Sequence, residues 1–361
     1  MRHKITMYYL KNLYIFFWIL SLFLFFFSTT KVHSKAFEIT NIEISKPFEK
    51  DFNKNQVLDE GFNKAFFKLI RSLIKSSDLN KVNIVKLKEI KSMIESFTIQ
   101  EEKFINEIYY VNLGVSFERK KIFKYLEKKN IFPSQPIKET FLFIPIIIDE
   151  NINELKIFSN NILYKNWNKF DENNQSDLIK YILPTEDLED YNLIKEKYDA
   201  IENYDFKEIT EKYFLKNTII AMMFKNEKEI RVLSRISIKN ETLIKNKSFN
   251  NLSLNDEEKI ALMIDELKKI YEDTWKEYNQ INTSIKLPLI IRVDNDNSDN
   301  LIRFEKTLEE MDLINKFSIQ KFDKSFIYYE IIFNGTPKLF LEIMSKNEYE
   351  IDNQKRIWVL K

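Results

Sequence analysis

The chain has 361 residues, with 56 Lys and Arg against 55 Asp and Glu, two histidines, three glycines and no cysteine. A charge balance this close to neutral gives no reason to expect a polyanion, and no nucleic-acid partner is expected. The lack of thiols excludes disulfides, cysteine zinc sites and Cys–His nucleophilic pairs.

The N-terminus has the three parts of an export signal. Arg2, Lys4 and Lys11 make a positive start, and no acidic residue precedes Glu38. Leu13 to Phe27 is an apolar run broken only by Ser21, and Val32-His33-Ser34 offers a small residue at the cleavage position. The apolar run falls short of the roughly 20 residues of a membrane span. A signal peptide over residues 1–34 and a periplasmic location are therefore expected. The alternative is an uncleaved inner-membrane anchor facing the periplasm, which would be the only membrane contact. Residues 1–34 hold four basic and no acidic residues, leaving 52 basic against 55 acidic in the remainder. Both histidines, His3 and His33, lie in this segment, so cleavage would remove every imidazole. The remaining composition is rich in Lys, Asn, Ile and Phe, a skew that codon drift produces, so single lysines and asparagines carry little signal.

The rest of the chain reads as three modules. In residues 36–150, Phe37 to Ile44 alternates as a strand. Asp59 opens a helix with Phe62, Ala65, Phe66, Leu69 and Leu73 at helical spacing. A short helix covers Val85 to Ile94, and Phe97 to Phe104 and Glu107 to Phe117 make a hairpin. A helix with Ile122, Phe123 and Leu126 inward comes next. Thr140 to Asp149 has the unbroken apolarity of a strand buried on both faces, with Pro145 marking a bulge or an edge position. Residues 151–281 read as a central α/β module. It holds a helix near Asn160 to Trp167, a strand at Leu178 to Leu183, and two short helices (Tyr191 to Ile201, Phe206 to Phe214). Three strands follow from Asn217 to Lys247. A long helix then starts at Asn255 and Glu258, with Ile260, Ile264, Leu267, Tyr271 and Tyr278 on one stripe. Residues 282–361 show the order β-α-β-β-α-β. The first module has the same order with one helix inserted. The expected fold class is thus α+β, with ferredoxin-like split modules at both ends of a central α/β module.

The densest polar cluster is Glu186, Asp187, Glu189 and Asp190, between a strand end and a helix. Carboxylates there could bind a ligand or partner, hold Mg²⁺, or act as general acid and base, with Asp187 and Asp190 the catalytic candidates. The same residues would also serve as a helix cap and as complements to the macrodipole. Asp294, Asp296, Ser298 and Glu305 match positions one, three, five and twelve of a calcium loop. Asp299 stands where the loop needs glycine, and Ser298 or Asp299 could simply cap a helix. Gly61, Gly114 and Gly335 are isolated, which excludes a glycine-rich phosphate loop. Ser72 and Lys75 have the S-x-x-K spacing of a serine nucleophile on a helix, a spacing common by chance in so lysine-rich a chain. Phe326, Tyr328, Tyr329 and Phe333 read as sheet packing. No cofactor is expected.

Leu183-Pro-Thr-Glu-Asp-Leu-Glu-Asp190 resembles the Leu-Pro-x-x-Asp-Leu-Glu-Asp segment of a family of secreted proteins of Gram-negative bacteria, domain of unknown function 2066. Lys212-Tyr213-Phe214 and Asn217 to Ala221 are similar to a helix–strand transition in that family. Its glycines and tryptophans are largely replaced here, as across Leu69 to Ile74. The resemblance implies an exported protein without an assigned activity, and it brings no catalytic residue. The leading expectation is a non-catalytic binding or scaffold protein of the cell envelope, with an envelope protein as partner. The competing one is a carboxylate-dependent hydrolase, metal-assisted or not, using Glu186 to Asp190. An enzyme would gather these carboxylates in a cleft with other buried polar groups, whereas a scaffold would leave them at a helix end.

Overall fold

Three β-sheets with helices packed against them make a mixed α+β architecture in the computed structural model. It describes residues 37–361 except 170–177, 228, 240, 251, 283–284, 297 and 312. The expected signal peptide lies outside the described residues.

The first sheet has the order β1 (Glu38–Pro47), β3 (Ile108–Phe117), β2 (Ile94–Ile105). Helix α1 (Lys54–Leu73) lies against β3 and buries the expected Phe62, Ala65, Phe66, Leu69 and Leu73. It starts at Lys54 because Asn53, in extended backbone, accepts a hydrogen bond from the Asn55 amide and caps the first turn. Asp59, expected to open this helix, lies inside it and pairs with Lys91 of α2 (Leu87–Met93) at 2.6 Å. Gly61 sits where a Cβ would press on the side chains of Leu113 and Ile44, which would have to shift to admit it. Asn106 and Glu107, both at positive φ, turn β2 back into β3. Helix α3 (Arg119–Lys128) follows.

The strand expected to close this module does not join it. β4 (Glu139–Asp149) pairs in parallel with β7 (Asn217–Lys225) along one edge. Along the other edge it pairs with β6 (Ile179–Ile182), parallel, and β5 (Glu154–Lys156), antiparallel. Every residue from Phe141 to Asp149 is buried, so the strand needs a packed layer on each face, and the central sheet supplies both. The N-terminal sheet therefore lacks the last strand of the expected β-α-β-β-α-β order. The central sheet continues from β7 through β8 (Glu229–Ile238) to β9 (Glu241–Asn250).

On one face, Phe141, Phe143 and Ile147 meet Ile260, Ile264, Leu267 and Tyr271 of α7 (Glu257–Tyr278). On the other, Leu142, Ile144, Ile146 and Ile148 meet Ile194, Ile201, Phe206 and Ile209, the last from α6 (Lys207–Thr210). The cap of α7 is Asp256, one residue beyond the expected Asn255, accepting from the Lys259 amide at 3.2 Å. Pro145 pairs with Ala221 without a bulge and lies between the short strands β6 and β5 on its other side. The buried Asn161 fills that break. Its Nδ2 donates to the Pro145 and Lys156 carbonyls at 3.0 and 3.1 Å, while its Oδ1 caps α4 (Ile162–Asn166) through the Leu163 and Tyr164 amides.

The C-terminal sheet runs β11 (Ile314–Phe322), β12 (Phe326–Phe333), β10 (Leu287–Asp294), β14 (Trp358–Leu360), β13 (Ile351–Asp352). Helices α8 (Ser298–Glu310) and α9 (Pro337–Lys346) supply Phe304, Leu308, Phe340 and Met344 to its core. β10 thus lies between β12 and β14. A helical crossover from β12 would return a strand antiparallel to β10, and β13 has that direction. The short β14 then turns back and fills the place beside β10, in parallel. Segment 133–137 laces the first module to α7. Ser134 donates from both its amide and its hydroxyl to the Leu73 carbonyl, and Trp275 Nε1 donates to the Ile137 carbonyl at 2.7 Å.

Asn161→Ala removes a helix cap and strands two buried carbonyls at once. It is expected to lower stability by about 2–4 kcal/mol, measured by urea unfolding, and a loss within error of zero would contradict this role.

Candidate functional site

The acidic segment is held by local chain chemistry. Pro184 breaks the strand after β6, and its carbonyl accepts from the Tyr164 hydroxyl at 2.7 Å. Asp187, in extended backbone, caps α5 (Leu188–Glu196) by accepting from the Glu189 amide at 2.7 Å. That bond holds its carboxyl below the usual carboxylate range, with Lys212 adding to the effect. Asp190, one turn along, is only 1% exposed. Its Oδ1 accepts from Lys212 Nζ at 2.6 Å, and the same ammonium stands 3.5 Å from Asp187 Oδ2. The Asp190 bond raises the Lys212 pKa. The Tyr213 hydroxyl accepts from the Thr185 amide at 2.9 Å. Residues 184–190 and 211–214 are thereby tied side by side. Asp190 Oδ2 and the Tyr204 hydroxyl are buried there with no hydrogen-bond partner. Glu186 and Glu189 are exposed.

This arrangement spends the two best catalytic candidates on structure. A general acid or base needs a lone pair or proton directed at a reacting group. Asp187 directs one oxygen to its own helix, and the buried Asp190 is paired with the partly exposed Lys212. β6 stops beside Leu142, the fourth of the eleven residues of β4, so the segment does not lie at the carboxyl edge of the sheet. That edge is formed by β4 and β7, where the buried Asp149 pairs with Lys225 at 2.5 Å and accepts from the Asn151 amide at 3.3 Å. Asp149 and Glu150 close the longest apolar run of the chain outside the N-terminal segment, and the strand-end rule applied there would have found them.

The calcium loop does not form. Asp294 Oδ1 accepts from the Asp296 amide at 3.0 Å in a local turn, and Ser298 begins α8. Glu305 lies inside that helix and accepts from the Tyr329 hydroxyl at 2.7 Å. Ser298 and Asp299 both stand within the first turn rather than at the cap, and Asp299 complements the macrodipole there. Among the described residues, no three His, Cys, Asp or Glu side chains gather as a metal site.

Two apolar residues beside the acidic knot escaped sequence reading. Leu188, the first residue of α5, is 75% exposed, and Phe214 is 93% exposed. Phe214 also adopts the left-handed conformation, φ 53°, as it ends a 3₁₀ turn before β7. A bulky side chain rarely takes that backbone. The only hint in the sequence is a helix stop between Lys212 and Asn217 with no glycine to make it. No protein-family model matches this chain, and no curated protein matches it. The resemblance drawn from Leu183 to Asp190 thus has no support beyond the residues that carry it.

Asp187→Asn should keep the cap, since Asn and Asp cap equally well, and remove an acid-labile contribution. A depressed carboxyl stabilises the fold above its unfolded value, near 3.8, and that stability is lost as pH falls through the lower folded value. The wild type should lose stability relative to the variant on acidification below about pH 4, by chemical unfolding across pH. Parallel pH profiles would contradict the assignment. Lys212→Met, which strands a buried carboxylate, should lower the urea midpoint further than Asp190→Asn; equal midpoints would rule the pair out as a structural element.

Proposed function

We propose that this is a non-catalytic exported protein that binds an envelope protein through the surface around Phe214 and Leu188. The observation that carries this reading is Phe214, an almost fully exposed aromatic ring held in a strained backbone conformation. Strain of this kind costs of order 1–3 kcal/mol and concentrates at functional sites, and large aromatics supply the anchors of protein interfaces. Glu186 and Glu189 give this surface an acidic rim, suited to a partner with basic residues around an apolar pocket. In this reading Asp187 and the buried Asp190 join the segment that carries Leu188 to the one that carries Phe214 through Lys212. Export rests on Arg2 to Ser34, and the periplasm is the compartment that segment implies. The resemblance to the secreted family and a ferredoxin-like ancestry of the C-terminal module belong with this proposal.

Stability and binding should separate at Phe214. Glycine relieves left-handed backbone strain, so Phe214→Gly should raise unfolding stability by about 0.5–1 kcal/mol while losing partner recovery from envelope extracts. A variant that recovers the same partners as wild type would refute the anchor. Mass measurement of the exported protein should find the N-terminus near residue 35, and an intact residue 1 on a soluble intracellular protein would refute export.

A further inference from the structure

A second surface lies on the far side of α3 from its own module. Its residue Phe123 packs against the C-terminal core, so α3 stands over the start of β11 and the end of β12. A cavity of about 250 Å³ remains between them. Its charged lining is Arg119, Lys120, Lys124 and Lys286 against the single carboxylate of Glu127.

Lysine abundance alone would mean nothing in this chain, but three features set the cavity apart. Arg119 and Lys120 are the first residues of α3, where the helix dipole disfavours cations, and Glu118 provides no side-chain cap. Arg119 is drawn toward the Glu309 and Glu310 carbonyls at 3.3 Å, whereas Lys120 and Lys124 form no ion pair among the described residues. The third feature is Asn334, only 4% exposed yet lining the cavity. Its Oδ1 accepts from Lys286 Nζ at 3.1 Å. An ammonium can only donate, which fixes the amide orientation and leaves Nδ2 as the donor.

We infer that this cavity binds a tetrahedral oxyanion, a phosphate or the phosphoryl group of a larger molecule. Lys120, Lys124 and Lys286 would supply charge, and Asn334 Nδ2 a directed hydrogen bond. The donors come from two separate modules and approach from different sides, which suits four oxygens better than the two coplanar ones of a carboxylate. The volume is below the roughly 300 Å³ at which pockets for drug-sized ligands begin, so the recognised group is small even where its carrier is not. Glu127, 3.9 Å from Lys286, sets the limit on one side of the site.

Calorimetric titration with inorganic phosphate at low ionic strength tests this directly, alongside sedimentation with phosphatidylcholine vesicles with and without phosphatidic acid. Lys120→Gln/Lys124→Gln should weaken phosphate binding by about tenfold or more. Asn334→Asp, which preserves the bond to Lys286 but turns a carboxylate oxygen toward the ligand, should weaken it as well. Lys216→Gln/Lys338→Gln, an equal charge change elsewhere, should stay within about twofold of wild type. Unchanged melting temperatures for the lysine variants would show that the fold is intact. Saturable phosphate binding without vesicle binding would assign free phosphate or a soluble phosphate ester. Phosphatidic acid-dependent sedimentation lost in Lys120→Gln/Lys124→Gln would assign a lipid headgroup. Absence of both, or equal weakening in the two double-lysine variants, would overturn the site.

Discussion

Burial of β4 on both faces is the constraint on which the rest of the structure depends. A strand whose side chains from Phe141 to Asp149 all avoid water must have partners along both edges and a packed layer above and below. Those needs draw β7 to one edge, β6 and β5 to the other, α7 to one face and the Ile194–Ile209 region to the opposite face. Pro145 cannot donate a ladder bond, so the edge beside it is left to Asn161, whose side chain completes the hydrogen bonding that a strand would otherwise supply. Position of the acidic segment follows from the same packing. β6 covers only the first part of β4, so the chain leaves the sheet at mid-strand and enters α5 above the second core.

That exit point explains why the carboxylates are organised as they are. The first turn of α5 has amides to satisfy, and Asp187 satisfies that of Glu189. Asp190 faces inward one turn later, and a buried carboxylate requires a counter-charge, which Lys212 reaches from the segment before β7. The ion pair draws residues 211–214 against α5. The chain must then reverse into β7 within a few residues, and Phe214 takes the left-handed conformation that reversal demands. An exposed aromatic residue in strained backbone thus follows the ion pair between Lys212 and the buried Asp190.

Much of the fold was legible in the sequence, because period and burial leave direct marks. The apolar spacing of Phe62, Ala65, Phe66, Leu69 and Leu73, the stripe from Ile260 to Tyr271, and the hairpin before Phe117 all correspond to observed elements. Helix starts were less legible: Asn53 and Asp256 cap where Asp59 and Asn255 were expected, since several neighbouring polar residues could serve and only the backbone angle decides. Sheet membership was not legible. The apolarity of Thr140 to Asp149 announces two buried faces, but nothing local says whose, and pairing with β7 spans a long stretch of chain. The turn of β14 back beside β10 likewise depends on a strand, β13, too short to leave a pattern. For the site, sequence identified the cap residue but not the ion pair, because Lys212 is one lysine among many and only the fold brings it to Asp190.

Amide hydrogen exchange, followed residue by residue, tests most directly whether β4 is the spine of this protein. The slowest amides should be those of Leu142 to Ile144, Ile146 to Ile148 and their β7 partners Ile219 to Met223, opening only with global unfolding. If the β4 amides exchange faster than those of the β2–β3 hairpin, the central sheet does not organise the molecule, and the explanation of the acidic knot built upon it is wrong.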